Sequence, residues 1–153
     1  MSNIKLFHGS NVIVEKPQIL ENGYYKDFGY GFYCTHIEKQ AKRWALSKRK
    51  NHIVNQYNYT ENFNLQIKIF TEMTEEWLTF IVNCRRGIQH SYDIVEGAMA
   101  DDTIWDYIED YMNHKISKPA FWELIKFKYP THQIVFCTEK ALTTLEFEGS
   151  YSL

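Results

Sequence analysis

The sequence has few cysteines and none in pairs. Cys34, Cys84 and Cys137 are odd in number and far apart, with no Cys-x-x-Cys motif. A disulfide framework is thereby excluded, and reduced, semi-buried thiols are expected, as in a cytoplasmic protein. An excess of charge is missing too. The 17 basic and 19 acidic residues leave a formal net charge of −2, which gives no global attraction for nucleic acid or an anionic membrane, although a local basic strip stays open. No apolar stretch approaches the roughly 20 residues of a membrane-spanning helix. Met1–Ser10 lacks the basic start and apolar run of a signal peptide. With three prolines and no Ser/Gly-rich linker, repeat or low-complexity block, one domain over residues 1–153 is the simplest organisation. His8, His36, His52, His90, His114 and His132 are scattered at none of the common metal-ligand spacings, so no metal is expected. Neither a Cys–His pairing nor a Gly-x-Ser-x-Gly elbow points to covalent hydrolysis.

Aromatic residues are abundant. They make up 16% of the chain, led by 11 Tyr and 10 Phe, and are spread along it. The plain reading is a Tyr-rich core and rim; the other is that some rings line a pocket for a flat ligand. A chain of 153 residues is long enough to bury a core without disulfides or metals.

Periodicity supplies the elements. Ile4–His8 reads as a strand with Ile4, Leu6 and His8 on one face. Pro17, Asn22, Gly23, Gly29 and Gly31 mark a loop-rich stretch, and Phe32–Thr35 is short and β-prone. Thr35 and Glu38 have the spacing of a capping box, opening a helix that runs to about Arg49. His52–Tyr59 and Leu65–Phe70 look like strands joined by a turn at Thr60–Asn64. Thr74 caps a helix whose inner face is Trp77, Phe80, Ile81 and Cys84, with Gly87 just past its end. Tyr92–Val95 is a further strand. Asp101 and Asp102 precede a helical run with Ile104, Ile108 and Tyr111 on one face, and read as its N-cap. Pro119 opens another helix, stopped by Tyr129 and Pro130. Gln133–Thr138 and Thr143–Phe147 close the chain as strands. Strands at both ends with helices between them predict a mixed α/β or α+β domain with two small sheets.

Two segments concentrate chemistry. In Leu6-Phe7-His8-Gly9-Ser10 a histidine ends an apolar strand, and the adjacent glycine lets a ligand approach the backbone with no Cβ in the way. In Asp27-Phe28-Gly29-Tyr30-Gly31-Phe32-Tyr33 two glycines lead into a strand that carries Tyr33 and Thr35 on one face. This is no Rossmann fingerprint, because the third glycine is missing and the pattern enters a strand instead of leaving one. Each segment alone reads first as a structural feature. The basic stretch Lys42-Arg43 and Lys48-Arg49-Lys50 reads first as a solvated face, with a phosphate or nucleic-acid contact as the alternative. Arg85 and Arg86 suit a helix C-terminus.

Together the two segments resemble the ADP-ribosyltransferase superfamily, in the branch with a His-Tyr-Glu triad shared by poly-ADP-ribose polymerases and diphtheria-like toxins. Glu75–Phe80, Ala100-Asp101-Asp102 and Gln133–Phe136 extend the likeness, over nearly the whole chain, to a group of bacterial proteins of that fold. The resemblance implies an α+β domain with a split β-sheet core and flanking helices. It also implies an NAD-dependent mono-ADP-ribosyltransferase that uses NAD as substrate. By position it implies that His8 orients the adenosine-side ribose, that Gly9 clamps the nicotinamide carboxamide through its backbone with Ser10 beside it, and that Tyr33 stacks on the nicotinamide. Trp44, 11 residues after Tyr33, stands where the polymerases close the other ring face. Two positions depart from the pattern. Ala41, 8 residues after Tyr33, replaces a serine, and the catalytic glutamate expected at the front of the strand Gln133–Thr138 is replaced by His132-Gln133. Gln133 is then the ribose-orienting residue, with Glu139, Asp101 or Asp102 as substitute carboxylates. The family's character adds a toxin with a cognate antitoxin as a setting, and a protein or nucleic-acid acceptor. The missing glutamate keeps a non-catalytic NAD- or ADP-ribose-binding module, or an interaction protein that kept only the fold, as alternatives.

Overall fold

A computed structural model of the chain describes residues 3–19, 26–100, 102–126 and 131–153, the side chain of Asp102 apart. The elements run β1 (Asn3–Ser10), β2 (Phe32–Cys34), α1 (Glu38–Leu46), β3 (Ile53–Thr60), β4 (Ile67–Ile69), α2 (Glu75–Arg85), β5 (Ile94–Gly97), α3 (Asp102–Met112), α4 (Lys118–Ile125), β6 (Gln133–Phe136), α5 (Glu139–Leu142) and β7 (Leu145–Ser152). They form two sheets, of order β1-β3-β7 and β2-β6-β5-β4. The first is wholly antiparallel, and in the second only β4 and β5 run parallel. The domain is α+β, as expected.

Among the described residues one backbone bridge links β1 to the residue after β2. Phe7 gives its N–H to the Thr35 carbonyl at 2.8 Å and accepts the Thr35 N–H at 2.9 Å. β1 is buried on both faces for this reason. Leu6 packs with Phe32, Tyr57, Ile134 and Phe136, whereas Phe7 lies with Ala41, Ala45 and Val54 beneath α1. The larger core lies under α2, α3 and α4, where Phe28, Trp77, Ile81, Val95, Ile104, Ile108 and Phe121 are buried together. The predicted face of α2 goes into this core, and Trp77 donates its indole N–H to the Ala98 carbonyl at 2.9 Å, the partner a buried indole needs.

Four local expectations are corrected. The Thr35–Glu38 capping box does not form. Thr35 turns its hydroxyl to the Ile37 N–H and to His132, Ile37 is the N-cap without a side-chain bond, and α1 stops at Leu46. The turn at Thr60–Asn64 does not make a hairpin, because β3 and β4 belong to different sheets. Instead β4 pairs in parallel with β5 and α2 supplies the crossover that a parallel pair requires. The strand expected over Gln133–Thr138 ends at Phe136, and Thr138 caps the short helix α5 by accepting the Ala141 N–H. The N-cap expectation at Asp101 and the stop at Tyr129-Pro130 lie outside the described residues.

Candidate functional site

Strand register brings the first two candidates together. Tyr33 pairs with Val135 across the antiparallel β2–β6 ladder, so both side chains point to one side of the sheet. Gln133, two residues before Val135, shares that side by alternation. His8 reaches them from β1, its Nδ1 lying 2.6 Å from the Tyr33 carbonyl oxygen. A cleft of about 470 Å³ is lined by His8, Gly9, Tyr33, Trp44 and Gln133, together with Lys26, Asp27, Arg43, Lys48 and Arg85. That volume is within the range of small-molecule sites. Five of the six site residues expected from sequence thus meet in one cleft. Ser10 is the exception: its hydroxyl accepts the Val12 N–H at 3.3 Å and turns the chain after β1.

The protonation of His8 follows from its partner. A carbonyl only accepts, so Nδ1 carries the proton and Nε2 is left bare. Burial pushes the pKa of His8 down to about 4; the Tyr33 bond opposes this, and the positive charges of Lys48 and Lys26 add to it. The imidazole is therefore neutral at pH 7, and among the described residues nothing bonds Nε2. The cleft receives a hydrogen-bond acceptor.

Gly9 has a structural duty as well. A Cβ there would sit 2.2 Å from the Ala41 carbonyl oxygen and 2.7 Å from the Ala45 nitrogen, so only glycine lets α1 lie this close to β1. Ala41 is part of the same contact and is fully buried. Among the described residues the backbone of Gly9 is free for other work. Phe7 spends its N–H and C=O on Thr35, and antiparallel alternation turns the Gly9 pair the same way, toward the cleft and away from β3.

Tyr33 is held by its hydroxyl, which donates to the Gly29 carbonyl at 2.6 Å and accepts the Phe28 N–H at 3.1 Å. Burial raises its pKa well above the ordinary value, so the hydroxyl stays protonated and the ring is a fixed wall. Lys26 Nζ stands 5.2 Å over that ring. The amine's pKa is lowered by burial first, then by Lys48 and Arg85. Lys26, Arg43 and Lys48 all line the cleft, and none of them forms an ion pair among the described residues. From the basic stretch, Arg43 and Lys48 therefore face the cleft.

The floor holds two residues whose roles the sequence does not disclose. Asp27 is 4% exposed. Its Oδ1 takes Nε and Nη2 of Arg85 at 2.8 and 2.5 Å, and its Oδ2 takes the Ala100 N–H at 2.8 Å and the Gln133 amide at 3.2 Å. Arg85 lies over the Trp105 ring, 4.2 Å from its centroid; its place is the cleft floor, beyond the helix-end role its position suggests. Asp27 sits inside the glycine motif, which is the one sequence signal that could have singled it out. Glu139 is exposed on α5 and lines no part of the cleft. Asp101 and the side chain of Asp102 lie outside the described residues.

A second, smaller hollow brings Cys137 within 3.9 Å of His90 Nε2, a Cys–His approach that sequence spacing does not reveal. It is no nucleophile pair. His90 Nε2 donates to the Phe28 carbonyl and Nδ1 accepts the Tyr92 N–H, while burial pushes the Cys137 thiol up to about 12. Among the described residues no group of three His, Cys, Asp or Glu side chains could hold a metal ion, and no helix is long and apolar enough to cross a membrane.

Comparison with curated proteins gives no match. Residues 4–147 match the family described as "Protein of unknown function (DUF3990)", a span that takes in every residue of the cleft. The chain belongs to the DUF3990 family.

Proposed function

We propose that the chain is an NAD-dependent mono-ADP-ribosyltransferase, with the cleft at His8 and Tyr33 as its active site. The observation that carries this reading is the convergence there of two fixed neutral acceptors with two aromatic rings. His8 Nε2 and Gln133 Oε1 have no protein donor among the described residues, and they share the cleft with Tyr33 and Trp44. Acceptors suit ribose hydroxyls, which donate. Rings suit a nicotinamide. The outward N–H and C=O of Gly9 suit a carboxamide, and the unpaired Lys26, Arg43 and Lys48 suit a pyrophosphate. The split of the domain into two sheets, with β1 and β2 meeting at the cleft, agrees with the fold that the His-Gly and Gly-x-Tyr resemblance implies.

In this reaction the bond between ribose C1′ and the nicotinamide nitrogen breaks, and its electron pair leaves with the nitrogen, neutralising the pyridinium charge. An oxygen, nitrogen or sulfur of the acceptor bonds C1′ and gives up its proton to solvent. The chain's own part is geometry: Tyr33 and Trp44 hold the leaving ring, while His8 and Gln133 hold the sugar so that its open face meets the acceptor. The acceptor is a protein side chain or a nucleic acid, and the setting is a cytoplasmic toxin with a cognate antitoxin.

Incubation of the purified protein with NAD tests the proposal by nicotinamide release. Release that depends on His8 and Gln133 is expected; binding without release reduces the site to an NAD- or ADP-ribose-binding module. Absence of both removes the reading. Growth arrest on bacterial expression, relieved by His8→Ala, is the expected sign of the toxin setting; unrelieved arrest counts against it.

A further inference from the structure

The amide of Gln133 has a defined orientation. Its Nε2 lies 3.2 Å from Asp27 Oδ2 and 3.4 Å from the Ala98 carbonyl. Both are acceptors, so the NH2 end must face them and Oε1 must face away. Gln133 is 2% exposed, yet no buried side-chain nitrogen or oxygen among the described residues lacks a partner. Its Oε1, for which no donor is found among the described residues, is therefore left to face the cleft that Gln133 lines. Asp27 cannot turn to change this, because Arg85 and the Ala100 N–H fix both its oxygens.

We propose that Asp27, anchored by Arg85, is the positioning residue that makes Gln133 a ribose-hydroxyl acceptor: it holds the amide carbonyl toward the cleft and places its negative charge one hydrogen bond behind it. The chain thereby divides between two residues the work that one carboxylate would do. Gln133 makes the contact, and Asp27 supplies orientation and charge. Within hydrogen-bonding range of Gln133 the only described carboxylate is Asp27. As C1′ gains positive character when nicotinamide departs, that charge polarises the amide and strengthens the acceptor where it is needed. This rests on the cleft being an NAD site.

Asp27→Asn keeps the volume but replaces the fixed acceptor with an NH2 group on one side, which frees the Gln133 amide to turn its own NH2 into the cleft. The rate of nicotinamide release is expected to fall at least about 30-fold, with the NAD dissociation constant changed less than about 3-fold, since the rings and cations that bind NAD are untouched. Adding Gln133→Glu to that variant gives the amide introduced on the cleft floor a carboxylate to hold, and should recover at least about 10-fold of the lost rate. A residue that merely stabilised the fold would not be rescued this way. Gln133→Met, which keeps length and loses the carbonyl, should show at least the same loss of rate, and it serves if Asp27→Asn does not fold. Wild-type turnover in Gln133→Met, an unchanged rate in Asp27→Asn, or a double variant no faster than Asp27→Asn overturns the assignment of Asp27 while leaving the NAD site standing. A wild type that binds no NAD sinks the site itself and this proposal with it, and one that binds NAD but releases no nicotinamide also overturns it.

Discussion

Two hollows in this domain contain a histidine close to the 28–33 segment, and they differ in what that histidine has left to offer. In the smaller one, His90 gives Nε2–H to Phe28 and takes the Tyr92 N–H at Nδ1, and the neighbouring Cys137 thiol points at the Val135 carbonyl. Both nitrogens of His90 and the thiol hydrogen of Cys137 are engaged. In the larger cleft, His8 spends Nδ1–H on Tyr33 and keeps Nε2, and Gln133 spends its NH2 and keeps Oε1. The residue types are similar, but unfilled acceptors held by fully occupied neighbours separate a candidate site from packed interior. The cleft should accordingly be expensive to disturb at its supports, and the small hollow nearly indifferent.

Removing the support that carries most bonds should cost most. Asp27→Ala leaves Arg85, whose side chain is 18% exposed, without its carboxylate and strands the Ala100 N–H. Breaking a buried pair from one side costs about 3–5 kcal/mol. Urea unfolding is expected to show a loss of that size, whereas His90→Ala in the small hollow should cost about 1–2 kcal/mol. Equal losses would erase the distinction between the two hollows.

Titration of His8 comes next. Its pKa falls from the ordinary 6.5 to about 4 in the folded chain, chiefly through burial. Between those values the unfolded chain binds the extra proton and the folded chain does not, so the contribution of His8 to stability is constant above pH 6.5 and declines as the pH drops toward 4. The full loss is up to about 3 kcal/mol. Unfolding midpoints measured from about pH 7 to about pH 4.5 should show this slope, and His8→Gln should reduce it, leaving the part contributed by His36, whose pKa burial also lowers. A slope undiminished by the substitution assigns the whole effect to other groups. Slightly smaller is the cost of Gly9→Ala, whose methyl would meet the Ala41 and Ala45 backbone at 2.2 and 2.7 Å. About 1–3 kcal/mol is expected from pushing α1 off β1, visible in the thermal midpoint; a neutral Gly9→Ala would deny that close approach.

The cleft is more legible in the sequence than the fold's details, and the reason is local. His8 and Gly9 are adjacent, Tyr33 and Gln133 sit at strand positions whose sidedness follows from alternation, and a motif needs no topology to be read. Asp27 shows there only as a neighbour of the glycine motif and Arg85 only as a helix-end residue, because the partner that explains each lies 58 residues away in sequence. The Thr35 hydroxyl fits a capping box by spacing, but His132, brought alongside by β6, competes for it. Likewise β3 and β4 read as neighbours until the crossover by α2 gives β4 a parallel partner in β5. Long-range partners decide such cases, and a single sequence does not display them.

The smallest effects belong to the small hollow, and Cys137 tests it most directly. With burial holding the thiol at about 12, only about one molecule in ten thousand carries the thiolate at about pH 8. His90 cannot correct this as a base, because the nitrogen nearest the sulfur already carries a proton bound to Phe28. Alkylation of native Cys137 by iodoacetamide, followed by peptide mass spectrometry, should be at least about 100-fold slower than in urea. Cys137→Ser should change stability by no more than about 1 kcal/mol and leave nicotinamide release unchanged. Fast alkylation of the folded protein, slowed by His90→Ala, would mean that His90 does act on the sulfur. The two hollows would then differ only in which of them has been furnished for a ligand, and the rule that closed valences mark packed interior would fail in this molecule.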